Sequence, residues 1–322
     1  MDNLDISTID GLRILKVKDK VLLAHQIKPP YYFSCCDGLI LLPTNEGNQK
    51  TVILDLNIEP YLINQINDLY GPISDYICTH GHMDHIAHVH QWESIGAKIH
   101  APIPDDTCLL DLHNFYEGFQ FDEALDFSII EKFGELNGYN TCKEIYPFKP
   151  GKSFLFDELE IKTIPFLGHS KAHIGFLLVQ KKIIHISCLG FDQIKPGVDG
   201  FGPWYGFKEC SIDQYLKDID LAQSIFLEQA EFLTSSHSYI IENPDITPFL
   251  YMREKIEKNQ NIIDQAILTL KLENKSKISL EVFLDMDLFF PKKKMDKFRN
   301  EIYKYWESGI IHKHIERSKY LK

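Results

Sequence analysis

The spacing of apolar residues divides the chain into stretches of different character. Residues 11–25 read as two short strands, and 31–42 as one or two more, each a brief run of Leu, Ile, Val or Tyr between polar breaks. Gln49–Leu56 holds the continuous run Thr-Val-Ile-Leu, which predicts a buried strand closing on Asp55. From Glu59 to Leu69 the period lengthens: Leu62, Ile63, Ile66 and Leu69 fall at helical spacing. Ser74–Cys78 then reads as a strand after a Gly-Pro turn. A helix opens over Ile86–Trp92, with Asp84 placed to cap it, and ends near Gly96; Lys98–Ala101 is a further short strand.

Residues 103–147 break this alternation. Leu109–Tyr139 is helix-compatible and rich in aromatic residues (Phe115, Tyr116, Phe119, Phe121, Phe127, Phe133, Tyr139), suiting either a helical lid over a pocket or an extra helical layer with its own core. Strands resume at Ser153–Phe156, Leu159–Pro165, Ile174–Gln180 and Lys182–Ser187. A Gly/Pro/aromatic loop follows at Gly197–Gly206, then a helix over Ser211–Glu231 and a strand at Phe232–Ser235. Beyond Asn243 the chain is helical and Lys-rich, and the Asn-Pro and Thr-Pro steps place a boundary at 243–248. The division expected is a mixed α/β domain over 1–245, with its helical insert, and a small helical domain over 246–322.

Charge narrows the partners. The net charge is −12 with 46 acidic residues, but 251–322 alone holds 16 Lys/Arg against 11 Asp/Glu. The remaining acidic body would repel a polyanion, so a small-molecule substrate is expected; the basic tail keeps nucleic acid open, and a homodimer is allowed. No apolar run approaches the roughly 18 residues of a membrane span, and the start Met1-Asp2-Asn3-Leu4 lacks a secretory h-region. Seven cysteines, an odd number spread over a long chain, suit a reducing compartment. A cytoplasmic protein is the expectation.

Chemistry concentrates in Thr79-His80-Gly81-His82-Met83-Asp84-His85. Three imidazoles and a carboxylate at a strand-to-helix turn can converge on one or two divalent ions. More donors stand at other strand ends: His169 in Gly168-His169-Ser170 and His237 in Ser236-His237. Among the other histidines, His88, His90, His100, His113, His173 and His185 read as structural.

With its His-x-His-x-Asp-His run at His80, His82, Asp84 and His85, the chain resembles the metallo-β-lactamase superfamily. Asp55, Gly168-His169 and Ser236-His237 match further stations of that family in order, over residues 11–240. The resemblance implies a four-layer αββα sandwich with two metals at one edge, one held by His80, His82 and His169, the other by Asp84, His85 and His237. Zinc is the implied metal, with iron or manganese as alternatives. Where many members carry a bridging Asp this chain has Cys188. Three readings follow: Cys188 is a thiolate ligand of the second metal, Asp192 reaches back as the bridge, or the second site is weakened. The residues 252–256 and 311–316 resemble, more faintly, the winged-helix-like C-terminal domain of lactamase-B2-like members.

The chemistry implied is hydrolysis by a metal-bound hydroxide, with Asp84 accepting from the nucleophile and shuttling its proton, and Asp55 orienting a ligand. Tyr205, in Gly202-Pro203-Trp204-Tyr205-Gly206, offers a phenol to a developing oxyanion, as lactonase-like members resemble. A small acyl compound is the leading substrate class (a thioester, a lactone or a related ester). The alternatives are a phosphodiesterase or RNA endonuclease, for which Lys292-Lys293-Lys294 is a candidate phosphate contact, and a metal-depleted binding protein.

Overall fold

The computed structural model describes residues 5–9, 11–27, 35–44, 50–193, 195, 197–198, 200, 202–272 and 279–321. The expectations on Met1–Leu4, on 31–34, on Gln49 and on Phe201 lie outside these residues. Two sheets carry the fold. The first runs β1 (Asp5–Ile9), β2 (Leu12–Lys18), β3 (Val21–Gln26), β4 (Gly38–Leu41), β5 (Thr51–Leu54), β6 (Ile73–Ile77), β7 (Lys98–Pro102) and β8 (Tyr146–Phe148), in sequence order. It is antiparallel up to β5 and parallel from there on. The second sheet is ordered β14 (Ile241–Glu242), β13 (Phe232–Thr234), β12 (Ile183–His185), β11 (Ile174–Leu178), β10 (Leu159–Pro165), β9 (Ser153–Phe156), with β12 and β13 as its parallel pair.

The sheets face each other across a core of Leu23, Leu39, Leu54, Ile77, Ile161, Phe176 and their neighbours, contributed by both. Alternate residues of the same strands point outward and are covered by helices: Ile53 and Tyr76 by α1 (Pro60–Tyr70) and α3 (Val89–Ser94), Ile184 and Leu233 by α6 (Ile212–Gln229). The result is the four-layer αββα sandwich. Trp92 of α3 is fully buried and its Nε1–H donates to the Leu56 carbonyl at 2.9 Å, tying that helix to the end of β5. Its loss to Ala would cost ~3–5 kcal/mol by the cavity left.

Several local expectations are corrected. Leu69, counted on the buried stripe of α1, is 59% exposed; at about 100° per residue Tyr70 lies closer to the line of Leu62, Ile63 and Ile66, and it is Tyr70 that packs on the core in the last turn. Asp84 caps no helix: a short helix α2 (Met83–Ile86) starts one residue before it, with His82 at the cap position. Leu109–Tyr139 is helical in short pieces and does not fill a core of its own. Two 3₁₀ turns, Asp105–Leu109 and Phe121–Glu123, alternate with α4 (Leu112–Gly118) and α5 (Phe127–Leu136), each capped by an aspartate side chain, Asp111 or Asp126. Its rings Phe115, Phe119, Phe121 and Phe133 belong to the main core.

The chain leaves the second sheet after Glu242 and continues as α7 (Thr247–Leu272), α8 (Leu280–Leu284) and α9 (Lys297–Arg317). This helical segment shares the main core through Phe249, Met252, Tyr305 and Trp306, and keeps a small core of its own around Ile263, Ile267, Phe283 and Ile311. The Lys292 ammonium is buried against the Glu307 and Asp287 carboxylates, and Lys293 donates to the Asp285 carbonyl. Those two lysines brace the turn between α8 and α9, leaving no three-lysine contact for phosphates. Among the described residues no helix is long and apolar enough to cross a membrane.

Candidate metal centre

All the donors stand where strands end at one edge of the sandwich. β6 delivers the 79–85 turn, the turn after β10 delivers His169, the turn after β12 delivers Cys188 and the turn after β13 delivers His237. They gather into two groups. In the first, His80 Nε2, His82 Nδ1 and His169 Nε2 lie 3.0–3.2 Å apart. In the second, the donor atoms of Asp84, His85, Cys188 and His237 all lie within 4.8 Å of one another. The rings of His80 and His85 are 4.1 Å apart, so the groups are immediate neighbours.

The outer hydrogen bonds decide which nitrogens face inward. His169 Nδ1–H donates to the Trp204 carbonyl at 2.8 Å, and His80 Nδ1–H donates to Thr79 Oγ1 at 3.0 Å. Their Nε2 atoms are then lone pairs, aimed at one another across 3.2 Å. Burial, and after it the neighbouring imidazoles, push His80 and His82 far below the usual histidine range, and burial lowers His169 to about 4. Converging lone pairs of neutral imidazoles repel unless a cation lies between them. Nitrogens on one tetrahedral zinc sit about 3.3 Å apart at bond lengths of ~2.0–2.1 Å, close to the observed spacing. The residues fit a divalent ion.

Asp55 is the common anchor. Its fully buried carboxylate accepts from His85 Nδ1–H (2.9 Å), Thr79 Oγ1–H (2.7 Å), the Thr79 amide (3.1 Å) and the Ser187 and Ser236 hydroxyls (3.1 and 3.2 Å). Burial opposes its charge, but His85 and these donors outweigh it and hold Asp55 below the ordinary carboxylate range. Through Thr79 it orients His80, and directly it orients His85, one ligand candidate from each group.

The second group is mixed in chemistry and more open. His85 Nε2 is 2.9 Å from Cys188 Sγ and 3.5 Å from Asp84 Oδ2, and His237 Nε2 is 3.1 Å from the same Asp84 oxygen. Although burial pulls His237 down, Asp84 and Asp192 carry it up to about 9. Burial and then nearby carboxylates raise the Cys188 thiol well above its normal value; coordination to a divalent ion is what would make it a thiolate. Side chains of Asp84 and His237 are 19% and 28% exposed, whereas His80 is fully buried, so this group faces the way in. Asp192, the alternative bridge, is not among the gathered donors. Its Oδ1 is buried with no hydrogen-bond partner among the described residues, and burial raises it to about 6.

Tyr205 is placed differently from the sequence expectation. The loop does lie beside the gathered donors, but the contact is the Trp204 carbonyl. The Tyr205 hydroxyl donates to His314 Nε2 (3.0 Å) and accepts from Asn259 Nδ2 (2.7 Å), so both its capacities are spent on the C-terminal helices. No developing oxyanion at the donor groups can use it. Sequence reading also passed over Asp105, whose buried carboxylate accepts from the Gly81 amide at 2.9 Å and pins the turn between His80 and His82. A 3₁₀ turn inside an irregular insert gives no periodic signal for such a contact.

No protein-family model matches the chain, and no curated protein does. Solved structures do. A beta-lactamase domain protein from Burkholderia ambifaria superposes with a TM-score of 0.64 at 12% identity, over 96% of this chain and 90% of its own. A metallo-beta-lactamase family protein from Thermus thermophilus gives 0.60 at 14%, over 97% and 95%. A metallo-beta-lactamase from Pontibacter korlensis gives 0.52 at 16%, over 74% and 96%. The likeness extends over the C-terminal helices in the first two, and what it establishes is the fold.

Proposed function

We propose that this chain, which has the metallo-β-lactamase fold, is a metal-dependent hydrolase of small acyl compounds such as thioesters or lactones. The observation that carries this reading is the pair of adjoining donor groups, three neutral imidazoles beside a carboxylate, a thiol and two further imidazoles. Two zinc ions are the occupants proposed: His80, His82 and His169 would hold one, and Asp84, His85, Cys188 and His237 the other. Such ions, when bound, lower the pKa of coordinated water and polarise an acyl oxygen.

The chain's own residues do the rest. Asp84 Oδ2, shared between His85 and His237 on the open side, can accept and return the proton of an attacking water. The rings of Phe119 and Phe207 close over His82 at 4.9 and 4.3 Å and exclude water from the inner side. That apolar cover and the acidic body favour a small, partly apolar substrate over a polyanion, and the bracing contacts of Lys292 and Lys293 take those two lysines out of the candidate phosphate contact.

Elemental analysis with turnover of a chromogenic thioester and a lactone tests the proposal. About two zinc equivalents per chain, and acyl hydrolysis abolished by His82→Ala, are expected. Cleavage of single-stranded RNA abolished by the same substitution, with no acyl turnover, would displace the substrate class. A chain that takes up no divalent metal would overturn the reading.

A further inference from the structure

His82 lacks the usual support of a metal-binding imidazole. Such a ring ordinarily donates its outer N–H to an acceptor, but His82 Nε2 is buried with no hydrogen-bond partner among the described residues. Packing holds it instead, between the rings of Phe207 and Phe119. Both of those residues are fastened by their backbones to one helix. Tyr305 of α9 donates its hydroxyl to the Phe119 carbonyl at 2.8 Å, joining positions 186 residues apart. Lys313, two turns further along α9, donates its ammonium to the Phe207 carbonyl at 2.6 Å and to the Gly309 carbonyl at 3.2 Å.

The same loop carries the acceptor for His169. The Trp204 carbonyl takes the His169 Nδ1–H, and the Trp204 ring meets Trp306 of α9 edge to face at 5.4 Å. The approach of helix to loop is so close that a Cβ at Gly309 would land on the Gly206 carbonyl oxygen. A lysine ammonium is costly to bury, and here it donates to a buried loop carbonyl that also accepts from the Cys210 amide at 3.2 Å.

We propose that α9 is the outer support of the three-histidine group, with Tyr305 and Lys313 as positioning residues for His82 and His169. The inference rests on the metal-centre reading and deepens it. Neither residue touches the donor atoms. Each fixes a backbone carbonyl whose residue, or near neighbour, holds an imidazole in register for the ion. A packing-only role for α9 would affect folding without singling out one of two adjoining metal sites.

The test is Co²⁺ titration of the full chain after chelation. Visible d–d absorption reports geometry at both groups, and a thiolate-to-cobalt band reports the Cys188 group. Tyr305→Phe and Lys313→Met are expected to weaken the ion at the three-histidine group by about tenfold each, within the range for outer-sphere partners. The d–d envelope should change while the thiolate band titrates as in the wild type. Lys313→Arg, which keeps a donor, should restore most of the affinity. Lys304→Met, the same deletion on the exposed side of α9, should match the wild type. If Lys313→Met fails to fold, judged by circular dichroism, Tyr305→Phe carries the test, since it removes one oxygen atom. Wild-type affinity and spectrum in a folded Tyr305→Phe and Lys313→Met would overturn the proposal alone. A wild-type chain that binds no Co²⁺ at the histidines would bring down the metal-centre reading, and this inference with it.

Discussion

The two donor groups adjoin each other yet are built on opposite principles. His80, His82 and His169 are neutral, closed in by aromatic rings and fixed by partners on the far side of each imidazole or by packing. Asp84, His85, Cys188 and His237 are mixed in chemistry, partly open, and lean on one another: His237 on Asp84, His85 on Asp55 and Cys188. A preformed set of lone pairs binds an ion with little rearrangement. A set tied up in internal ion pairs must exchange those contacts for the ion. The contrast predicts a tight inner site and a weaker, more selective outer one.

The largest effect that can break this comparison comes from the inner group. His82→Ala should remove one ion per chain and, with it, about 4 kcal/mol of barrier lowering, ~10³-fold in turnover; metal analysis beside steady-state kinetics checks it, and full activity in this variant would end the two-group account. Next comes the outer group alone. Cys188→Ser should abolish the thiolate-to-cobalt band and weaken the second ion by more than the ~10–100-fold typical of outer-sphere losses, leaving the first intact. Retention of that band would give the role to another thiolate, with Cys36, 3.4 Å from His85 Nδ1, as the candidate; a second ion held at wild-type affinity with no band would transfer it to Asp192, with Asp192→Asn as the variant to follow.

Asp55→Asn sharpens the comparison from between the groups, because Asp55 reaches His85 directly and His80 through Thr79. Both ions should weaken together, by ~10–100-fold, and isothermal titration that finds only one affected would show that the groups are not jointly anchored. The last effect concerns the metal-free fold and neither ion. His88 and His314, both held to about 4 by burial, are neutral in the folded chain where an unfolded imidazole takes a proton near 6.5. The unfolded state therefore binds more protons below that pH, and folding stability falls as pH drops from about 6.5 to about 4, by up to about 3 kcal/mol per histidine. Urea unfolding of the chelated protein at several pH values measures this, and His314→Gln should flatten the slope by about one proton.

The donor residues were legible because each sits at a strand end, where a short apolar run stops and a histidine or cysteine follows. His80–His85 are nearly contiguous, and Gly168-His169, Cys188 and Ser236-His237 each terminate a recognisable strand. The fold was legible for the same reason, since buried runs such as Thr51–Leu54 tolerate few other assignments. What escaped was contact between segments with no shared period. Asp105 reaches Gly81 from an insert of broken turns, and Tyr305 and Lys313 reach the aromatic cover from the far end of the chain. Tyr205 shows the converse error: its loop lies where position in the sequence put it, but the side chain turns toward His314 because a buried phenol needs partners. Cys188 was the residue whose reading stayed most open, and its place 2.9 Å from His85 comes from a turn geometry that spacing alone leaves free.

The docking of α9 also orders events in time. Synthesis proceeds from the amino end, so all seven donors emerge from the ribosome before α9 does. At ~5–20 residues per second the stretch from His237 to Arg317, about eighty residues, takes roughly 4–16 s. During that interval a nascent chain carries its ligands without the helix that fastens Phe119 and Phe207 over His82. On the proposed metal-centre reading, an ion bound in that interval would meet the three histidines before α9 has fixed their aromatic cover.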